Sequence, residues 1–304
     1  MISSLQHLQA ERQTVQGFLD EIPGDSLIER YSWQARLQVL DGRIEAEQSR
    51  VVPARSAITF QGRPVVGSHG IASAFGLAAT RAYTKIVQVV AAQWYQAQPL
   101  ANSRPLKADS RFDLLVVGPA FGSFGFELEE PIAEQLTIEE RSVLARSLEK
   151  TQLILKGALE SDEALAQTLD DSDDRTLSAV RAFVKVLGDN DATCAIQSGE
   201  RLFRFESAEQ IAQSRLRVEW KNIKREEVTR EGQFVGARPG PRDFEFQVEG
   251  GESIAGRVNL AVADLNDINR HLYQRARVRL FFQQVGSARP RYVLVQNPEW
   301  LNEE

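Results

Sequence analysis

Few residues in this 304-residue chain combine the types and spacing that chemistry needs. Glu219-Trp220-Lys221, in a predicted strand from Arg217 to Ile223, matches the E-x-K half of a metal-dependent nuclease site. Such a site needs another acidic residue on a neighbouring strand to hold magnesium. Asp189 and Asp191 are candidates only by nearness in sequence. E-x-K also arises by chance in charged strands, so catalysis by Glu219 and Lys221 is the second reading and not the first. Gly67-Ser68-His69-Gly70 precedes a predicted helix, whose unpaired N–H groups and dipole would favour an anion. The competing reading is a tight strand-to-helix turn capped by Ser68. The wider stretch Gly62 to Ser68 has the glycine spacing of a phosphate-binding loop but lacks the lysine before the serine. Without that ammonium, the β- and γ-phosphates have no counter-charge.

Other chemistries are set aside by the same reasoning. The glycine-rich stretch Gly118 to Gly125 lies between two predicted strands, so no helix N-terminus faces a pyrophosphate there. A bulged hairpin explains it better. Asp170-Asp171-Ser172-Asp173-Asp174 lacks the glycine and the terminal glutamate of a calcium loop. It reads as an exposed helix junction, with Asp173 or Asp174 as N-cap. A serine–histidine–acid triad has one credible histidine, His69, and no G-x-S-x-G elbow. One cysteine, Cys194, sits in an apolar strand where a thiol is usually inert packing, and only three histidines are present. Disulfides and multi-cysteine metal centres are excluded. The expectation is therefore no catalytic residue, no metal and no cofactor.

The best candidate for binding is the last hairpin. In the strand from Ala276 to Val285, alternation places Val278, Leu280 and Phe282 inward and Arg277, Arg279 and Phe281 outward. In the returning strand Tyr292 and Leu294 point inward, leaving Arg289 and Arg291 outside. Four guanidinium groups around an exposed phenyl ring would suit single-stranded nucleic acid, with phosphates on arginine and a base stacked on Phe281. The competing reading, slightly preferred for a chain of net charge −6, is that these arginines pair with acids of the middle region.

The elements that must position these residues fall into three groups. Residues 1–50 read as an antiparallel helical hairpin: Leu5, Leu8, Val15, Leu19 and Ile22 share one face, and Trp33, Leu37, Leu40 and Ile44 another. Pro23-Gly24-Asp25 breaks the two, and Ser26 with Glu29 forms a capping-box pattern. Its narrow apolar stripes predict packing on the rest of the chain, on a partner protein or in a homo-oligomer. Residues 51–215 read as an α+β middle domain. A hairpin turning at Gln61-Gly62, a helix from about 72 to 96, a buried strand 112–117 and an alternating strand 123–129 come first. Helices over roughly 137–170 and 174–187 follow, with Gly188 as the residue after the second, and then a hairpin of 194–197 with 202–205. Residues 216–304 read as a small β-barrel, with strands at 216–223, 229–237, 242–249, 253–262, 276–285 and 289–296 and a helix from 264 to 274. Three strands, a helix and two strands resemble an OB-fold in architecture, with an SH3-like barrel the alternative. The fold class is thus α+β.

Charge is unevenly spread. Residues 127–174 hold 14 acids against 4 Lys or Arg, whereas residues 270–291 hold six arginines and no acid. The N-terminal MISSLQHLQAER has neither the basic nor the apolar part of a signal peptide, and glutamines interrupt the longest uncharged run, 86–103. The reading is a soluble cytoplasmic protein with no membrane association. Its leading function is a non-enzymatic binding or scaffold subunit of a bacterial complex. A regulatory subunit of a toxin-control or phage-defence operon, whose acidic surface occupies a basic partner, is a third class.

Overall fold

The structure is a computed structural model and describes residues 4–23, 26–48, 53–97, 112–120, 123–131, 138–170, 172–259, 262 and 265–301. The Gly24-Asp25 turn, the Phe121-Gly122 centre of the glycine-rich loop, Asp171, and the uncharged run beyond residue 97 lie outside the described residues. Met1–Pro53 and Ala54–Glu304 form two compact units. In the first, α1 (Ser4–Glu21) and α2 (Leu27–Gln48) pack on each other through Val15, Leu19, Leu37 and Leu40, with Leu8 and Trp33 alongside. The seam follows the three–four spacing of the apolar residues, and Phe18 stacks at a tilt on Trp33 with centroids 5.3 Å apart.

The second unit holds two cores. One lies under a five-stranded antiparallel sheet with order β4-β5-β1-β6-β7, built from β1 (Arg55–Gly62), β4 (Leu115–Ala120), β5 (Phe124–Glu129), β6 (Ala192–Ser198) and β7 (Arg201–Phe205). Ile58 and Phe60 of the central strand are fully buried against α3 (Ser73–Ala97), whose Phe75, Ala79, Tyr83 and Ile86 recur every three or four residues. Further helices α4 (Ile138–Glu160), α5 (Asp162–Thr168), α6 (Asp174–Asp189) and α7 (Ala208–Arg217) complete that layer. Tyr83 is buried there with its hydroxyl 2.8 Å from Ser56 Oγ, which also accepts from Ser198 Oγ. Burial pushes the phenol up to about 12 against the opposing effect of these bonds.

Several sequence expectations are corrected here. Gln61-Gly62 is no hairpin turn, because β1 continues to pair with β6 through Gln61↔Thr193 and Gly62↔Ala192. A side chain at Gly62 (φ +107°) would meet the Asp191 carbonyl oxygen 2.2 Å away, so only glycine fits there. The tight hairpin is instead β2 (Val65–Val66) with β3 (Gly70–Ile71). The strand expected to be buried at 112–117 lies at a sheet edge, and Leu115, Val116 and Val117 are exposed. Gly188 is inside α6; the chain leaves the helix through Asn190 and the left-handed Asp191. Residues 208–217 form α7 and 220–222 a 3-10 turn, so the strand expected at 216–223 begins only at Ile223. A helix wins there because Ser207 caps it and Ile211 packs into the core.

The other core is a closed barrel. The strands β8 (Ile223–Arg238), β9 (Asp243–Val248) and β10 (Ser253–Val258) form a meander. The helix α8 (Leu265–Arg270) follows, and then β11 (Arg275–Val285) and β12 (Arg291–Leu294). β12 closes the circuit by pairing parallel with β10 through Arg257↔Val293 and Val258↔Leu294, and β11 pairs antiparallel with β8. This is the strand order of an OB-fold, and the parallel pair excludes the all-antiparallel SH3-like alternative. A final β13 (Glu299–Trp300) extends β11. Phe234, Phe246, Val278, Leu280 and Leu294 fill the interior, which Leu265 and Ile268 of α8 plug. β8 and β11 are long enough to join both cores: Ile223 and Val285 belong to the helical layer, Phe234 and Val278 to the barrel.

Candidate partner-binding groove

The shared hairpin decides where each candidate residue sits. Arg275, Arg277, Arg279, Phe281, Gln283 and Val285 lie on one side of β11 by strand alternation. The first three are exposed, but Gln283 and Val285 are buried against the helical layer, so this row runs from solvent into a seam. Phe281 stands at the seam. It is half-buried, with the Arg225 guanidinium 5.8 Å from its ring centroid, and so is not the exposed platform the sequence suggested.

The four binding arginines are likewise not brought together. Arg277 donates to Glu231 at 2.9 Å and to Glu299 at 3.1 Å on the solvent side. Arg279 is exposed beside Thr229. Arg291 pairs in register with Gln283, four positions further along β11, or about 13 Å away. It grips Asp170 with two guanidinium nitrogens and lies 3.8 Å from Glu163. Arg289 offers its backbone N–H to Glu163 at 3.2 Å. The bond to Asp170 raises the Arg291 pKa against the opposing effect of burial. Asp170 is itself only 6 % exposed, so the acidic junction read from the sequence as exposed is covered at its first residue. Asp173 is the N-cap of α6, accepting from Thr176 N–H at 2.9 Å.

Around Arg291 the surface of the barrel opens into a groove of about 670 Å³. Gly236, Ala255 and Val293 line it with small or short side chains. Arg238, Arg257 and Arg291 also line it, with Asp170, Asp243 and Glu245. Arg238 and Asp243 form a two-point ion pair, and that bond raises the Arg238 pKa. Gly236 belongs to a bulge in β8 after Phe234, and the Ala237 N–H beside it is satisfied by Asn269 Oδ1 of α8 at 3.2 Å. The groove therefore offers paired charges of both signs over a floor able to accept side chains. Of its residues only Arg291 is a ligand contact expected from the sequence. The alternation of β9 and β10 marks Glu245, Ala255 and Arg257 as outward, which was the available signal. Nothing local marks Asp170 as their neighbour.

The remaining candidates are dispersed. Glu219 and Lys221 pair with each other at 2.9 Å on the 3-10 turn, not in a strand. Asp189 is engaged by Lys185 and Arg215, and Asp191 lies 3.3 Å from Arg63. Among the described residues no group of three His, Cys, Asp or Glu is placed to hold a metal ion. Gly67, Ser68, His69 and Gly70 make the turn between β2 and β3, where His69 N–H donates to the Val66 carbonyl. α3 begins at Ser73, close to the expected start near 72, so Ile71 and Ala72 separate Gly67–Gly70 from the helix N-terminus. Burial pushes the Cys194 thiol far up, which keeps it protonated and unreactive. Among the described residues no helix is long and apolar enough to cross a membrane. Comparisons with protein families, with curated proteins and with solved structures find no match.

Proposed function

We propose that this chain is a non-enzymatic binding or scaffold subunit of a cytoplasmic complex, and that its barrel groove docks a segment of a protein partner. The observation that carries the reading is the groove itself, which arginines and carboxylates line together with Gly236, Ala255 and Val293. A partner segment with side chains of both signs can exchange into such pairs, whereas a polyanion would meet Asp170, Asp243 and Glu245 as repulsion. Pairing of Arg277 and Arg291 with acids of this chain supports the same choice over single-stranded nucleic acid. The acidic stretch is partly engaged internally, since Asp162, Glu163, Asp170 and Asp174 all meet residues of the barrel region or its approach. Residues 1–50 are assigned a second contact, to a partner or another copy, on the strength of the exposed Phe18, Tyr31 and Val39.

The test is recovery of the partner from the native host. Ala255→Trp fills the groove floor from an outward position, so it should leave the fold intact and remove the protein recovered with the wild type. Retention of the same partner would refute the groove as the docking site. Arg279→Glu with Arg289→Glu addresses nucleic acid: oligonucleotide binding that steepens at low salt and disappears in this variant would replace the protein reading.

A further inference from the structure

The segment that carries Glu219 and Lys221 has a different feature at its centre. Arg181 of α6 donates its Nε–H to the carbonyl of Val218, closing the C-terminal end of α7. Its Nη1 and Nη2 are buried and have no hydrogen-bond partner among the described residues. The Trp220 ring lies against the guanidinium, with its centroid 3.5 Å from Cζ, and Trp220 is itself 56 % exposed. An exposed aromatic ring thus lies against a guanidinium two of whose nitrogens are unsatisfied. Its carrier is a three-residue turn in which no residue is buried, and Glu219 makes no side-chain capping bond there.

Charges of both signs surround Arg181. Arg225, with a side chain 7 % exposed, bonds Asp174 at 3.0 Å, Gln283 and the Leu169 carbonyl. Desolvation lowers the Arg181 pKa to about 10, and Asp174 raises it while Arg225 lowers it further. The group remains a cation at neutral pH. Buried guanidinium donors without acceptors are costly, and the in-plane pair Nη1 and Nη2 matches two oxygens of one tetrahedral or planar anion.

We propose that Arg181, with Trp220 as a hinged cover, is a binding site for a phosphate group. Movement of the ring exchanges a cation–π contact for two charge-assisted hydrogen bonds, and the outer face of the indole is free to stack on a base. The group could arrive as inorganic phosphate or as a nucleoside monophosphate. The site is separate from the barrel groove and does not depend on it.

Trp220 supplies the readout. Titration with inorganic phosphate at fixed ionic strength should give a saturable fluorescence change that chloride does not produce and that Trp220→Phe loses or alters. Arg181→Lys keeps the charge but removes the fork, so affinity should fall at least tenfold. Because Arg181 also closes α7, Trp220→Ala serves as the variant at an exposed position. It should keep the fold and bind inorganic phosphate at least threefold tighter by calorimetry, since no ring needs to move. Adenosine monophosphate binding tighter than phosphate assigns the nucleotide as the source; equal affinities assign inorganic phosphate. No saturable response in the wild type, an Arg181→Lys affinity equal to wild type, or weaker phosphate binding by Trp220→Ala would each overturn the proposal.

Discussion

Arg277 and Arg291 stand on adjacent strands of one hairpin and on the same outward side of the barrel, yet the molecule treats them differently. Arg277 meets Glu231 and Glu299 in the open, with side-chain exposures of 45, 36 and 63 %. Arg291 meets Asp170 at the seam with the helical layer, at exposures of 28 and 6 %. Water screens the first pair and replaces either partner readily. The second is largely out of water, so each charge depends strongly on the other, with Glu163 and Arg257 as more distant partners. The difference lies in what the strand row runs into, since beyond Arg279 the same side of β11 passes under α5, where Gln283 donates to the Ala166 carbonyl. An outward arginine is a surface residue only while there is solvent outside it.

The largest effect expected from this contrast is at Asp170. Asp170→Asn keeps the size of the side chain but leaves Arg291 half-desolvated with only Glu163, 3.8 Å away, as an anion. It should lower unfolding stability by about 2–3 kcal/mol, somewhat below the range for fully buried pairs because Arg291 is partly exposed. Urea denaturation at neutral pH measures it. A loss within about 0.5 kcal/mol would place the pair with ordinary surface contacts and erase the distinction.

The same seam marks how far the sequence could be read. Element order in the barrel was legible, because Val278 and Leu280 alternate with Arg277 and Arg279 and the turns carry glycine. Pairing of β6 with β7 was legible to the residue, Cys194↔Phe205 through Gln197↔Leu202. What local pattern could not supply was the second core at the other end of β8 and β11. That core buries Gln283 and Val285 and half-covers Phe281, so the expected aromatic platform disappears. Residues 216–222 failed for a related reason. Their alternating charges suit a strand, but Ile211 and the Ser207 cap commit the preceding chain to a helix that runs to Arg217. Trp220 on Arg181 could not be foreseen at all, because 39 positions separate the two residues and no local signal links them.

A smaller and pH-dependent effect is expected at Asp173, three residues from Asp170. Burial alone would raise its pKa, but the Thr176 N–H bond and the Arg175 pair outweigh that and the value is lowered. Its contribution is therefore complete above the unfolded-state carboxylate range, near pH 4, and is lost as pH falls through the lower folded value. Asp173→Ala should cost about 1 kcal/mol at neutral pH, the usual loss for an N-cap. Thermal unfolding from pH 7 to pH 2.5 should show the gap between wild type and variant closing in acid. A gap independent of pH would mean that the cap acts through its shape and not its charge, and Asp173→Asn would then match the wild type throughout.

The smallest effect belongs to the exposed ladder. Arg277→Gln removes the residue that links Glu231 to Glu299, and Arg275 lies only 3.7 Å from the same Glu231, ready to take its place. Neither acid is covered, so each regains water when the guanidinium leaves, and no charge is stranded. The hydrogen bond to Glu231 raises the Arg277 pKa, but a group in full contact with solvent converts such attraction into little stability. The expected unfolding midpoint equals that of the wild type, in low salt and in 1 M sodium chloride alike. That salt concentration shortens the screening length to about 3 Å and would expose any real dependence on the pair. Should Arg277→Gln destabilise the barrel as much as Asp170→Asn does, exposure would not be what separates the two arginines. The outer ladder of β8 and β11 would then have to be counted among the interactions that hold the barrel closed.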